Sequence, residues 1–591
     1  MKIAVVLVAF GTLASAQSPE AGRLFEQNCV TCHGKVEKVP GTAALRQMPA
    51  DVILAALTTG GMREQAQALT VEQKQAIAEY LAGYNLVSEQ SADAKRMPNA
   101  CPGNPPLGDL SAMPAWNGWG ADRTNSRFQP ASAAKLPADQ VSRLKLKWAF
   151  GFPGATAVYG QPTVVGGRVF VGVNTGYVYS LDAATGCVYW SFRARSGVRN
   201  AISIGPIKGH GSAKFAAYFG DVRANVYAID AATGAELWRT HVDEHGIAGI
   251  TGAPSLYEGR LYVPVSSREE QAGVSPAYPC CTFRGSVVAL DANTGKQIWK
   301  TYTIPETPKP TLKNSAGTQL YGPAGGAIWN SPTIDKKRRA LYVGTGNAYT
   351  EPAPPRTDSI MALDMDSGKV LWAVQDTPHD SWLVCFDQKT ENCPKDMGPD
   401  YDFGSSPILR TLPGGKRILV AGQKSGMVLA HDPDQKGALV WKAQLPKQLA
   451  LGEITYGGAA DEQNAYFGLK SGGIAAVQLT TGERTWFAPL EGRVGRGAGG
   501  GQTAALSAIP GAVFSGGWDG KLRAFSTENG KPLWEYNMLQ EFQTVNGVAA
   551  KGGGMGAPGP AIAGGMLFAG SGYVFGANGA PGNVLLAFGA E

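Results

Sequence analysis

The apolar and polar positions of this chain resolve into one short phrase that keeps returning. Its clearest copy runs Val288-Ala289-Leu290-Asp291-Ala292-Asn293-Thr294-Gly295-Lys296-Gln297-Ile298-Trp299. The apolar alternation before Asp291 predicts a strand. Asp291 to Gly295 predicts a tight turn with the glycine free to take positive φ, and the residues up to Trp299 a second strand. Similar phrases run from Leu181-Asp182 to Trp190, from Ile229-Asp230 to Trp238 and from Leu363-Asp364 to Trp372, and degraded copies end at Trp441, Trp486 and Trp534. Lys145-Leu146-Lys147-Trp148 supplies an eighth such tryptophan, and its hairpin can come only from the far end of the chain, in Met566–Gly570 and Val584–Phe588. A lone hairpin cannot hide its apolar face. Repetition on this scale predicts an all-β, eight-bladed propeller closed by a sheet with strands from both chain ends. An open β-array or a sandwich is the alternative. The wide gaps between Trp238, Trp299, Trp372 and Trp441 mark blades with long insertions, which is where function collects on a regular scaffold.

Length and composition add a compartment to this picture. The chain has 591 residues, 78 glycines, 38 prolines, 8 cysteines and a net charge of +6. That length suits a large repeat body plus a small domain, and the modest charge without a basic run gives nucleic-acid binding no support. Lys2 precedes an apolar run, Ile3–Leu13, and then Ala14-Ser15-Ala16. This pattern predicts a cleaved secretory signal over residues 1–16; a membrane anchor is the alternative, but the run is too short to span a bilayer. No later apolar stretch is long enough to span. The mature chain is therefore expected in the periplasm or outside the cell, where cysteines can pair.

The N-terminal part carries its own chemistry. Cys29-Val30-Thr31-Cys32-His33 is the spacing for covalent c-type haem, with Cys29 and Cys32 as thioether attachments and His33 as an iron ligand. A redox pair or half a zinc site are the alternatives. Thr70 and Gln73 predict a capping box, and Ile77, Tyr80, Leu81 and Tyr84 one apolar helix face. This resembles the last helix of cytochromes c. That family places its axial methionine where Gly60-Gly61-Met62 stands, with Met48 as the rival; such a ligand raises the haem potential. An all-α cytochrome c domain is thus expected over residues 17–87, followed by a polar, proline-rich linker over 88–115 and the propeller over 116–591. Cys101 in the linker is expected to pair with Cys187 in the first complete hairpin turn.

Four stretches of the insertions resemble the PQQ-dependent quinohaemoprotein alcohol dehydrogenases, eight-bladed propellers that bind pyrroloquinoline quinone (PQQ) and Ca²⁺. Within them the nearest likeness is the branch acting on polyvinyl alcohol, whose haem domain comes first. The stretches are Thr377-Pro378-His379-Asp380-Ser381-Trp382, Gly344-Thr345-Gly346-Asn347, Val265-Ser266-Ser267-Arg268-Glu269 and Ala327-Ile328-Trp329-Asn330. The resemblance implies Asp380 as catalytic base and Asn347 and Glu269 as Ca²⁺ ligands, with Glu270 able to take the place of Glu269. It implies Trp329 as the floor under the quinone ring, Thr251 and Ser266 as hydroxyl donors to it, Lys424 as a cation at the quinone oxygens and Arg199 as partner of a quinone carboxylate. Cys280-Cys281 departs from the family's position but is expected to form the same eight-membered disulfide ring, against the quinone. Cys385 and Cys393 are expected to pair.

The activity so implied is Ca²⁺-dependent oxidation of an alcohol, secondary or polymeric, by the quinone. Electrons would then pass to haem c and on to an external acceptor such as a cytochrome c or a quinone. Another alcohol or a sugar is the alternative substrate. Propellers with the same hairpin phrase also serve as non-enzymatic scaffolds, a reading that leaves the haem motif and the Glu269, Asn347 and Asp380 set without purpose.

Overall fold

The computed structural model describes residues 18–33, 39–110, 113–386, 389–446, 453–490, 500–575 and 578–591; the expected signal lies outside them. Eight antiparallel sheets of four strands stand in a ring, with the innermost strand of the sheet at residues 248–302 split in two. The ring closes as the sequence predicts. Leu144–Gly151 pairs with Asn578–Ala590, in register from Leu144 opposite Ala590 to Gly151 opposite Val584.

The repeated phrase is a staple between blades. In its turn, Asp291 Oδ1 accepts from the amides of Asn293 and Thr294 and from the Thr294 hydroxyl. The terminal tryptophan of each phrase reaches the next blade: Trp190 Nε1 donates to Ala231 O at 3.2 Å, Trp238 to Ala292 O at 3.0 Å and Trp299 to Met365 O at 3.2 Å. The same ring covers the next blade's turn glycine. A Cβ on Gly295 would lie 2.6 Å from Trp238, and one on Gly368 2.6 Å from Trp299, and both glycines stand at positive φ. Trp534 Nε1 donates to Leu144 O and joins the last repeat to the first strand. Glycine and tryptophan recur together because each is half of one contact.

Residues 116–129, which show no strand alternation, thread the ring at the innermost strands. Trp116 exchanges amide bonds with Val164, and Asn117 with Ile204. Further on, Ile334 N donates to Arg123 O, Leu409 N to Thr124 O, Ala460 N to Ser126 O and Ala508 N to Arg127 O. Gln129 Nε2 donates to Ile562 O. The segment thus visits the blades in chain order and ties them together. Arg127 is fully buried there, between the faces of Trp116 and Trp119.

Helices Pro19–Asn28, Ala50–Thr58 and Val71–Ala82 form a small bundle around Phe25, Ile53, Leu57, Ile77 and Leu81. Thr70 and Gln73 make the predicted capping box, and Gly83 ends the helix in the left-handed conformation. The bundle sits on the ring through Gln47 Nε2 to Ile247 O (3.1 Å), Ser196 Oγ to Gln47 O (2.8 Å) and an ion pair between Arg193 and Asp51 (2.9 Å). The three expected disulfides, Cys101–Cys187, Cys280–Cys281 and Cys385–Cys393, are all formed.

Candidate functional site

Two sets of side chains stand ready for cofactors. In the bundle, Cys29 and Cys32 keep free thiols while the other six cysteines are paired. His33 is buried, with Nδ1 2.8 Å from Pro40 O. A carbonyl only accepts, so Nδ1 carries the proton and Nε2 keeps its lone pair for a metal. Met62 and Met48 both pack into the same apolar cluster as Cys29. The fit to a covalently held haem is complete on the His33 side; on the other side both methionines remain within the cluster.

The second set lies where the long insertions meet. Trp329 is half-buried and packs with Cys280, Cys281, Leu383 and Cys385 in one cluster. The Gly404 backbone packs directly against its ring, where only a glycine fits: a Cβ there would lie 1.8 Å from the ring. Tyr456 meets it edge-on at 5.7 Å, and Lys424 Nζ stands 5.4 Å from the ring centre. Thr251 Oγ1 and Ser266 Oγ are hydrogen-bonded at 2.8 Å. Arg199 lies over the Tyr159 ring at 5.1 Å, beside the hydrogen-bonded pair Tyr456 and Tyr573. An aromatic floor, a disulfide in the same wall and half-buried cations fit a flat, polyanionic redox group.

The carboxylates divide into two groups. Asp380 is fully buried, and its oxygens accept from the amides of Asp400 (3.2 Å) and Tyr401 (2.7 Å). It fastens the start of the segment Asp400-Tyr401-Asp402. Glu269 is likewise fully buried. Its Oε1 faces Thr282 N (2.8 Å), the Tyr278 hydroxyl (3.1 Å) and His245 Nε2 (3.2 Å), and its Oε2 accepts from Phe283 N (2.8 Å). Through these bonds Glu269 anchors the loop that bears Cys280 and Cys281.

The open oxygens belong to residues the sequence reading passed over or held second. Lys424 Nζ donates to Asp400 Oδ1 at 2.7 Å and to Asp402 Oδ2 at 2.9 Å. Asp402 Oδ1 accepts from Asn347 N at 2.8 Å, so both of its oxygens are used. Among the described residues, Asp400 Oδ2 accepts no hydrogen bond, and neither does the Glu270 carboxylate. Burial pushes Asp400 well above the ordinary carboxylate range against the pull of Lys424, with Asp402 and Glu270 adding to the rise. Burial lifts Glu270 to about 7, opposed by Lys424. Burial alone would pull Lys424 down, but Asp400, Asp402 and Glu270 outweigh it and hold the ammonium well above its usual value. Asn347 Nδ2 donates to Ala348 O and Trp382 O, which turns its Oδ1 away from both. No local pattern singles out Asp400 and Asp402: Asp400 stands at φ 62°, off the extended region, and only the fold brings both acids to Lys424.

Comparison with known proteins bears on the family of the chain. Residues 116–384 match the family model described as glucose/ethanol/alcohol dehydrogenase, beta-propeller domain. Residues 16–81 match cytochrome C oxidase, cbb3-type, subunit III, and residues 356–586 match outer membrane protein assembly factor BamB. A polyvinylalcohol dehydrogenase from Pseudomonas sp is 40% identical over 99% of this chain and 96% of its own length. A second, from Sphingopyxis sp. (strain 113P3), is 38% identical over 100% and 98%. Among solved structures, the quinohemoprotein alcohol dehydrogenase ADHIIG of Pseudomonas putida HK5 superposes with a TM-score of 0.62 at 18% identity, over 84% of this chain and 83% of that one.

Proposed function

The chain belongs to the polyvinylalcohol dehydrogenase family of PQQ-dependent alcohol dehydrogenases, and from that premise we propose that it oxidises secondary alcohols, polymeric ones included, with Asp400 as the base. The observation that carries the base is the open oxygen of Asp400, Oδ2, on a carboxylate whose Oδ1 is held by Lys424, the cation that also stands against the Trp329 floor. When bound, PQQ supplies a two-electron acceptor, haem c a one-electron carrier and Ca²⁺ a Lewis acid.

The chain's own residues then have distinct tasks. Asp400 Oδ2 takes the hydroxyl proton, while Lys424 on Oδ1 keeps the carboxylate oriented. A base of this kind is typically worth ~10²–10⁴ in rate. Trp329 offers an aromatic face and the Cys280–Cys281 wall excludes water from it. Glu270 and Asn347 Oδ1 hold the cation. A hard cation takes several oxygen ligands, which carboxylate and amide side chains supply. Arg199 balances a quinone carboxylate. Cys29, Cys32, His33 and Met62 hold the haem, which opens an exit to an external electron acceptor. The expected leader and the three disulfides support a periplasmic location, and no helix among the described residues is long and apolar enough to cross a membrane.

A dye-reduction screen with added PQQ and Ca²⁺ tests the reading. It compares polyvinyl alcohol, short secondary alcohols, primary alcohols and sugars. Activity on the secondary alcohols that is lost on exhaustive chelation, with the haem spectrum intact, is the expected result. Activity that survives chelation removes the metal from the mechanism. A holo-protein without a haem band or extractable quinone points to a scaffold.

A further inference from the structure

The joint between the bundle and the ring encloses a cavity of about 230 Å³ whose lining is unusual in its charge. Arg46 reaches it from the bundle, and Arg199 and Arg268 reach it from the ring. No aspartate or glutamate lines it. The charges converge on Arg268: Arg199 and Arg46 both repel it, and the Glu270 carboxylate opposes them less than Arg199 acts. Among the described residues, Arg268 makes no ion pair. Like charges gathered in a part-buried cavity without a counter-ion oppose folding unless an anion joins them.

The cavity's place sharpens the point. On one side it is walled by Arg46, Gln47 and Met48, in the cluster region that surrounds Cys29. On the other side stand Arg199 and Tyr159, beside the Tyr456 that meets Trp329. The arginines therefore stand between the haem-binding residues and the quinone floor. A guanidinium presents a planar fork of donors that matches a carboxylate.

We propose that Arg268 and Arg46 form a carboxylate seat across the joint, holding an acid arm of a bound cofactor: a haem propionate or a carboxylate of the quinone. The seat rests on the reading of this chain as a quinohaem enzyme. It also gives the docking of the two domains a dependence on cofactor loading, since the anion relieves repulsion between arginines that belong to different domains.

The test uses the full-length holoprotein with Arg268→Gln and Arg46→Gln. Arg46 is exposed, so its variant keeps the fold even if Arg268→Gln does not. Two quantities are read: the haem midpoint potential by spectroelectrochemistry, and the dissociation constant for PQQ added to quinone-depleted protein. If the arm is a propionate, both variants lower the haem potential, because a positive charge that favours ferrous iron is gone, and PQQ affinity holds. If the arm belongs to the quinone, PQQ binds about ten- to a hundredfold more weakly in the variants and the haem potential holds. Arg268→Lys restores part of either effect. Both quantities unchanged in both variants overturn the seat. Wild-type protein that takes up neither haem nor PQQ overturns the parent reading instead, which keeps the two failures apart.

Discussion

In the hairpin turn of a blade, Asp291 is half-buried and its Oδ1 accepts from two amides and a hydroxyl. Near the pocket, Asp358 is fully buried and neither of its oxygens finds a partner. The two aspartates mark two ways of building. The frame repeats one self-sufficient contact, in which every polar group of the turn is met and a tryptophan locks the next blade. The pocket gathers Asp358, Asp380, Asp400, Asp402 and Glu270 around Lys424. Burial drives Asp358 well above the ordinary carboxylate range, and the charges of Asp402, Asp380 and Asp400 push the same way. The turn is satisfied within the chain, whereas the pocket is built to be completed by something that is not protein.

That contrast can be broken by substitutions whose effects on stability fall in a definite order. The largest belongs to the frame. Trp238→Ala removes a buried ring, its bond to Ala292 O and the cover over Gly295, and should cost about 3–5 kcal/mol. Denaturant melts should show a lower midpoint while the haem and quinone content of the folded fraction is unchanged. A loss below 1 kcal/mol would mean the staple is ornamental.

Asp358→Asn comes next and has the opposite sign. The native state holds the Asp358 proton more tightly than the unfolded chain does. Its contribution to stability is therefore full below the ordinary carboxylate pKa and is lost as pH rises toward the raised native value. The variant, measured without metal, should be more stable than wild type by about 1–3 kcal/mol at neutral pH and should lose that advantage near pH 4. An equal gain at both pH values would show that charge is not the cause. Thr294→Ala, which removes one hydroxyl from an exposed turn where Asp291 keeps two amides, should cost only about 0.5–1 kcal/mol in calorimetry.

The frame was legible because its contact is local and repeated: Asp, Gly and Trp recur at fixed spacing, and each spacing has one geometric meaning. The capping box at Thr70 and the Cys29–His33 motif were legible for the same reason. Residues 116–129 were not, since a segment that bonds to every blade in turn carries no period of its own. The acids were half legible. Glu269 and Glu270 are neighbours on one short helix, and only the fold decides that the first turns to Thr282 and Phe283 while the second turns toward Lys424. Asp380 stands in the stretch that carries the likeness, but the insertion closed by Cys385–Cys393 separates it from Asp400 and Asp402, and the fold returns all three to one place.

Which of those aspartates accepts the proton decides the chemistry of the pocket. Asp400→Asn and Asp380→Asn, each loaded with PQQ and saturating Ca²⁺, can be mixed with alcohol in a single turnover while the quinone absorbance is followed, which separates the chemical step from electron exit. Asp400→Asn should slow quinone reduction by roughly two to four orders of magnitude with haem content unchanged. Asp380→Asn should keep most of the rate and lose stability instead, since it holds the amides of residues 400 and 401. Near wild-type reduction by Asp400→Asn, with the large loss found in Asp380→Asn, would contradict the assignment and return the base to Asp380.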